Sequence, residues 1–261
     1  MTGNPATIEI GEGASSRAIA WRRQPGRGPD VVWLGGFRSD MLATKASALA
    51  EWGLRNHRTV IRFDYSGHGE SGGRFEDGTI GRWLEDALAV IAAGVHGRPI
   101  LVGSSMGGWI ALLACQRLAG TPHAPAGLVL VAPAVDFTER LMWDEFPEAV
   151  KREVMETGAW MRPSAYSAEP YPITRALIEE GRGHLLLGRM VKTGCPVHIL
   201  QGMEDPDVPW HHAMTLVERL AEDDVTVTLI KDGDHRLSRP EDIGKLVEAV
   251  EGIAPKSLLT L

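Results

Sequence analysis

The sequence predicts an α/β fold built on a mostly parallel, doubly wound sheet of about eight strands. Three observations predict it. Short apolar runs at residues 31–34, 60–63, 100–102, 127–132 and 197–200 are too brief for helices and rich in Val, Ile and Leu. They lack the polar alternation of a strand with one wet face, as expected where helices cover both sides. Amphipathic stretches of helical length separate most of them, and a strand-then-helix rhythm is the signature of a parallel sheet.

The elements follow in order. Residues 7–10 and 17–21 are strand candidates split by Gly11-Glu-Gly13, and a Gly/Pro-rich turn at 24–29 follows; together they read as an antiparallel hairpin at a sheet edge. The run 31–34 enters Gly35-Gly36-Phe37, where small residues let the backbone approach a ligand, and a helix over about 41–55 comes next. The strand at 60–63 opens into a polar loop at 64–73. His68 and Asp64 are read there as groups that hydrogen-bond the loop and fix its shape. A helix over about 80–95 sets Trp83, Leu84, Ala87, Leu88 and Ile91 on one face. A strand at 100–102, a helix from Met106 and a strand at 127–132, closed by Pro133, continue the rhythm.

From Asp136 to about Lys192 the rhythm stops. This stretch carries Phe137, Trp143, Phe146, Trp160, Tyr166 and Tyr171, with Pro147, Pro163, Pro170 and Pro172 as breaks and short helices at 148–156 and 173–180. It reads as a helical cap inserted after a sheet strand, which divides the chain into an α/β core, 1–135 with 193–261, and a cap, 136–192. Trp143, Phe146 and Trp160 are candidates to line an apolar pocket; the alternative is that they pack the cap's own small core. The alternation then resumes: strand 197–200, loop 202–209, helix 212–220, strand 225–230, loop 233–236 and helix 240–250. The strand at 225–230 has the period-two polarity of an edge, and the tail from Pro255 is expected to be loosely attached.

Composition excludes several function classes. A net charge of -7 and no run of Lys or Arg argue against a nucleic-acid footprint. No apolar run is long enough to span a bilayer. The first ten residues have neither a basic segment nor an apolar run, so no secretory signal is expected. Cys115 and Cys195, the only 2 cysteines, read as reduced core thiols, and the expected location is the cytoplasm.

The chemistry centres on Gly103-Ser104-Ser105-Met106-Gly107, between a strand and a helix. A serine at the tip of such a turn raises its hydroxyl clear of the sheet, and Gly103 and Gly107 stand where a Cβ would collide with neighbouring backbone. Ser105 is therefore the candidate nucleophile. The N–H of Met106 opens the helix without an intrahelical acceptor, so it is a candidate oxyanion donor, with the N–H of Phe37 as the second. A serine hydroxyl is a poor nucleophile at neutral pH and needs a base oriented by a carboxylate. His235 sits in the loop after the last strand and is the candidate base. Glu204, Asp205 and Asp207 crowd the preceding acidic loop; Asp205 is favoured as the acid, with Asp207 read as a cap of the following helix. His211 and His212 are adjacent, so their side chains project in different directions, and no metal and no cofactor are expected.

These motifs resemble a known family. Gly103-Ser-Ser-Met-Gly-Gly-Trp109, Asp64-Tyr-Ser-Gly-x-Gly-x-Ser71, Gly202-Met-x-Asp-x-x-Val-Pro-Trp210 and Asp234-His-Arg236 together look like the α/β-hydrolase superfamily. More narrowly they resemble the mitochondrial palmitoyl-protein thioesterases that also cleave acyl glucuronides, and their bacterial relatives. The likeness reaches into the cap at Lys151-Arg-Glu-Val154, Gly158-x-Trp160 and Pro163-Ser-x-Tyr-Ser167. The resemblance implies an α/β-hydrolase fold, a small-molecule acyl ester or thioester as substrate, and an acid three residues after the loop glycine, which is Asp205. One departure is Gly35, where many members place a histidine, so the oxyanion loop here is held differently. Rival readings are C–C bond or peptide hydrolysis on the same residues, and a catalytically silent binding protein. A dehalogenase or epoxide hydrolase would resemble the sequence only with Asp in place of Ser105.

Overall fold

Both faces of the central sheet are covered, which is why its strands are apolar at successive positions. The computed structural model describes residues 5–163 and 169–253. In chain order they form β1 (Ala6–Ile10), β2 (Arg17–Gln24), β3 (Arg27–Leu34), α1 (Thr44–Arg55), β4 (Arg58–Phe63), α2 (Ile80–Gly94), β5 (Ile100–Ser104), α3 (Met106–Leu118) and β6 (Gly127–Val131). A π-helical turn at Thr138–Trp143 follows, then α4 (Glu148–Thr157), β7 (Ala159–Arg162), β8 (Tyr171–Thr174), α5 (Arg175–Gly181) and a 3-10 turn at Arg182–His184. The chain returns to the sheet with β9 (Val197–Gly202), α6 (Trp210–Arg219), β10 (Val225–Ile230) and α7 (Pro240–Ile253). Tyr166 and the tail from Pro255 lie outside the described residues.

The main sheet has 8 strands in the order β1-β2-β4-β3-β5-β6-β9-β10. The β1–β2 and β2–β4 pairings are antiparallel and the others parallel. The N-terminal hairpin therefore forms one edge, and β10 forms the other. Alternation along each strand sorts the core into two layers. Val31, Trp33, Ile100, Val102 and Val129 pack with Leu49 and Trp52 of α1 and Leu246 and Val250 of α7. Val32, Leu34, Leu101, Leu128 and Leu130 pack with Trp83 of α2, Trp109 of α3 and Leu216 of α6. From Met106 to Cys115 every residue of α3 is buried, so this helix is apolar all round.

Register brings the loops that matter to one rim. Leu34 pairs with Gly103, Ser104 with Val131, Val131 with Leu200, and Thr228 with Leu200. The parallel strands therefore end nearly level, and the chain leaving each of them emerges on the same side of the sheet.

The stretch between β6 and β9 differs from an all-helical reading. Ile173, expected in a helix, lies in β8, which pairs antiparallel with β7 to make a second, two-stranded sheet. Pro170 and Pro172 disfavour a helix start there, and α5 begins only at Arg175. Two buried or half-buried carboxylates organise this stretch, Asp136 by tying its two ends together and Glu180 by fastening it to the core. Asp136 accepts the N–H groups of Leu186 and Leu187, both at 2.8 Å. Glu180 accepts the Gly81 N–H at 3.1 Å, where the first turn of α2 offers its unpaired donors.

Candidate active site

Ser105 stands between β5 and α3 with φ 54° and ψ -120°, a conformation non-glycine residues rarely adopt. Close packing on both sides permits it. A Cβ on Gly107 would lie 2.1 Å from the Leu34 carbonyl oxygen, and one on Gly103 would lie 2.3 Å from the Gly107 carbonyl oxygen. Only glycine lets strand, turn and helix approach this closely. The turn is closed by Ser105 N–H donating to Val131 O at 2.9 Å and Gly108 N–H donating to Ser105 O at 2.9 Å.

The structure brings His235 and Asp205 to this serine. Ser105 Oγ lies 3.1 Å from His235 Nε2, and His235 Nδ1 lies 2.8 Å from Asp205 Oδ2. A carboxylate only accepts, so Nδ1 carries the proton and Nε2 faces the hydroxyl with a free lone pair. Asp205 has no exposed side-chain surface, whereas 17% of the His235 side chain is open to solvent. The buried carboxylate is held on all sides: Oδ1 accepts Asp207 N–H at 2.9 Å and Val208 N–H at 2.8 Å, and Oδ2 also faces Gln201 Nε2 at 3.3 Å. Asp207 does not cap α6 as expected; Pro209 is the N-cap and no side-chain cap bond is made. Asp205, Asp207 and His235 each place a ligand-type atom within 4.8 Å of the others. The short Asp205–His235 contact and the backbone bonds to Asp205 occupy both oxygens of that carboxylate.

The loop after β3 faces Ser105. A Cβ on Gly36 would lie 3.3 Å from Ser105 Cβ, which puts the backbone leading into Phe37 against the serine. The Phe37 ring is wedged among Phe75, Trp83, Phe137 and Tyr171, with centroid distances of 5.1, 5.8, 5.7 and 5.9 Å. Asp64 joins this loop to the one after β4, accepting Met41 N–H at 2.6 Å and Glu70 N–H at 2.8 Å. Burial pushes its carboxyl above the ordinary range, and those two bonds pull it back. On the other side, Lys45 Nζ donates to the Arg236 carbonyl, tying the first turn of α1 to the His235 loop. Burial, partly offset by Asp234, holds the Lys45 amine down to about 8.

A cavity of about 650 Å³ opens over Ser105. Phe37, Met106, Phe137, Leu141, Met142 and Val208 supply its apolar wall. Trp143, Phe146 and Trp160 are not among its lining residues, which favours the second of the two readings given for these rings, packing among themselves. Phe146 packs edge-on against Trp160 at 5.3 Å, and Trp143 lies beneath the Arg182 guanidinium at 5.1 Å, so these rings pack within the stretch between β6 and β9. Leu141 and Met142 sit on the π-helical turn and escaped the sequence reading, because such a turn has no period-3.6 signature. The signal available was position: this turn soon follows Pro133, at the level where β6 leaves the sheet.

The model of the alpha/beta hydrolase family matches residues 18–246. The chain belongs to the alpha/beta hydrolase family. Within it, the chain is 38% identical over 239 residues to the mitochondrial palmitoyl-protein thioesterase ABHD10 of Bos taurus, covering 91% of this chain and 77% of the bovine protein. A crystal structure of a protein from Agrobacterium vitis S4, described as a hydrolase, superposes with a TM-score of 0.93 at 49% identity, covering 96% of this chain and 98% of that one. Mouse alpha/beta hydrolase domain-containing protein 10 superposes with a TM-score of 0.83 at 31% identity, over 95% and 97% of the two chains. The expected cytoplasmic location is corrected by the palmitoyl-protein thioesterase relatives, whose printed names place them in mitochondria. Reduced thiols fit any reducing compartment and so do not select the cytoplasm. No helix among the described residues is long and apolar enough to cross a membrane.

Proposed function

We propose that this alpha/beta hydrolase is a serine esterase or thioesterase that works through an acyl-enzyme on Ser105. The observation that carries the reading is the continuous contact from Ser105 Oγ to His235 Nε2 at 3.1 Å and from His235 Nδ1 to Asp205 Oδ2 at 2.8 Å. Nucleophile, base and orienting acid are linked in the order that the chemistry requires.

In this reading Ser105 Oγ attacks the substrate carbonyl carbon while His235 Nε2 takes the hydroxyl proton. The carbonyl π electrons move to oxygen, and the N–H groups of Phe37 and Met106 receive the oxyanion beside the positive end of α3. Asp205 stabilises the imidazolium through Nδ1–H without taking its proton. Collapse of the tetrahedral species breaks the C–O or C–S bond, and His235 returns the proton to the departing alcohol or thiol. Water, deprotonated by His235, then attacks the Ser105 ester; the carboxylic acid leaves and the serine hydroxyl is restored.

A fatty-acyl thioester or activated acyl ester is the substrate class we favour. The thioesterase relatives and the apolar wall formed by Phe137, Leu141 and Met142 support it. The test is turnover of p-nitrophenyl esters and acyl-CoA thioesters of graded chain length, alongside labelling by a fluorophosphonate. Ser105→Ala should lose the label and on the order of 10³–10⁶-fold in kcat. Retained turnover or retained labelling in that variant would overturn the assignment.

A further inference from the structure

We infer that His68 is a positioning residue for the oxyanion hole, holding the Phe37 N–H toward Ser105 through its hydrogen bond to the next amide. The inference rests on the Ser105 reading above. His68 sits in the loop after β4, and its Nε2 lies 3.1 Å from the backbone nitrogen of Arg38. An amide nitrogen can only donate, so Nε2 accepts, and Nδ1 carries the proton toward the Ser66 carbonyl at 3.2 Å. The tautomer is fixed by what surrounds the ring.

Three features show why the bond matters to the donor rather than to the loop in general. Arg38 has φ 59°, a left-handed conformation that a residue with a side chain holds only when its surroundings impose it. The imidazole contact pins the N–H of that residue, and its guanidinium lies 4.5 Å above the Tyr171 ring, so main chain and side chain are both held. The amide directly before it is that of Phe37, which follows Gly36, where an added Cβ would lie 3.3 Å from Ser105 Cβ. A shift at Arg38 therefore re-aims the Phe37 N–H.

The imidazole is itself immobile. It is 5% exposed and packs edge-on against Tyr65, Phe75 and Trp83 at 5.9, 5.3 and 5.4 Å. Burial holds its pKa down to about 4, so it stays a neutral acceptor across the working range.

Two side chains separate this role from plain packing. A glutamine oxygen reaches about as far as Nε2 and keeps an acceptor for Arg38; an asparagine reaches only as far as Nδ1 and loses it. We expect His68→Gln to keep kcat within about threefold and His68→Asn to lose about 10–100-fold in kcat with little change in KM, less than the loss of a direct oxyanion donor. Affinity for a trifluoromethyl ketone, which forms an oxyanion on the serine, should fall with kcat, while affinity for the carboxylate product should not. Equal kcat in the two variants, or parallel losses for ketone and product, would overturn the inference. Ser105→Ala runs beside them: if it stays active the serine reading fails, whereas an inactive Ser105→Ala with equally active His68 variants removes only this inference.

Discussion

Replacing Asp205 by asparagine tests the proposed relay at its buried end. The amide oxygen can keep the Oδ1 contacts to the Asp207 and Val208 N–H groups at 2.9 and 2.8 Å. The amide nitrogen then stands where Oδ2 accepted from His235 Nδ1 at 2.8 Å, and two donors would face each other. His235 escapes by moving its proton to Nε2, where it points at Ser105 Oγ and can no longer accept. The corresponding change in a serine protease of unrelated fold lowers kcat about 10⁴-fold. At about 1.4 kcal/mol per tenfold this is roughly 5 kcal/mol of lost transition-state stabilisation. The fold loses less, about 1–3 kcal/mol, because the contacts at Oδ2 from His235 and Gln201 are spoiled while the two backbone bonds at Oδ1 survive. The assay is steady-state hydrolysis of a p-nitrophenyl ester, with thermal melting as the fold control. A kcat within tenfold of the unmodified protein, in a variant that melts normally, would refute the reasoning. Asp232→Asn is the matched control: its exposed carboxylate pairs with Arg239 and is not among the residues lining the cavity, so kcat should stay near that of the unmodified protein.

Further outcomes follow from the packing and the charges. Gly107→Ala places a methyl 2.1 Å from the Leu34 carbonyl oxygen, so we expect a loss of at least about 1–3 kcal/mol in denaturant unfolding, together with lost activity as the turn opens. Phe137→Ala or Met142→Ala should shift the preferred acyl-chain length toward longer substrates, whereas Trp160→Ala should lower the melting temperature and leave the chain-length profile unchanged; a profile altered by Trp160→Ala would contradict the cavity lining. The depressed His68 pKa, from about 6.5 unfolded to about 4 folded, means the unfolded chain binds the extra proton between those values. Stability from this group is present above pH 6.5 and lost as pH falls toward 4, roughly 2 kcal/mol between pH 7 and pH 5. His68→Gln should remove that part of the acid sensitivity in chemical unfolding at the two pH values.

The sequence by itself determined the layered α/β architecture, the edge hairpin and the strand–turn–helix around Ser105, because apolar period, Gly punctuation and loop order are local properties of the chain. It also narrowed the site to three loops, since Ser105, the acidic loop at 202–209 and His235 each follow a strand of the same sheet. The tertiary structure decided what depends on convergence: that Asp205 rather than Asp207 meets His235, that Phe137, Leu141 and Met142 rather than Trp143, Phe146 and Trp160 line the cavity, and that His68 reaches Arg38. Each of these is a contact between residues about 30 positions apart or more, or a facing set by an irregular turn. Its geometry comes from strand register and the packing of one loop on another, which no local pattern encodes.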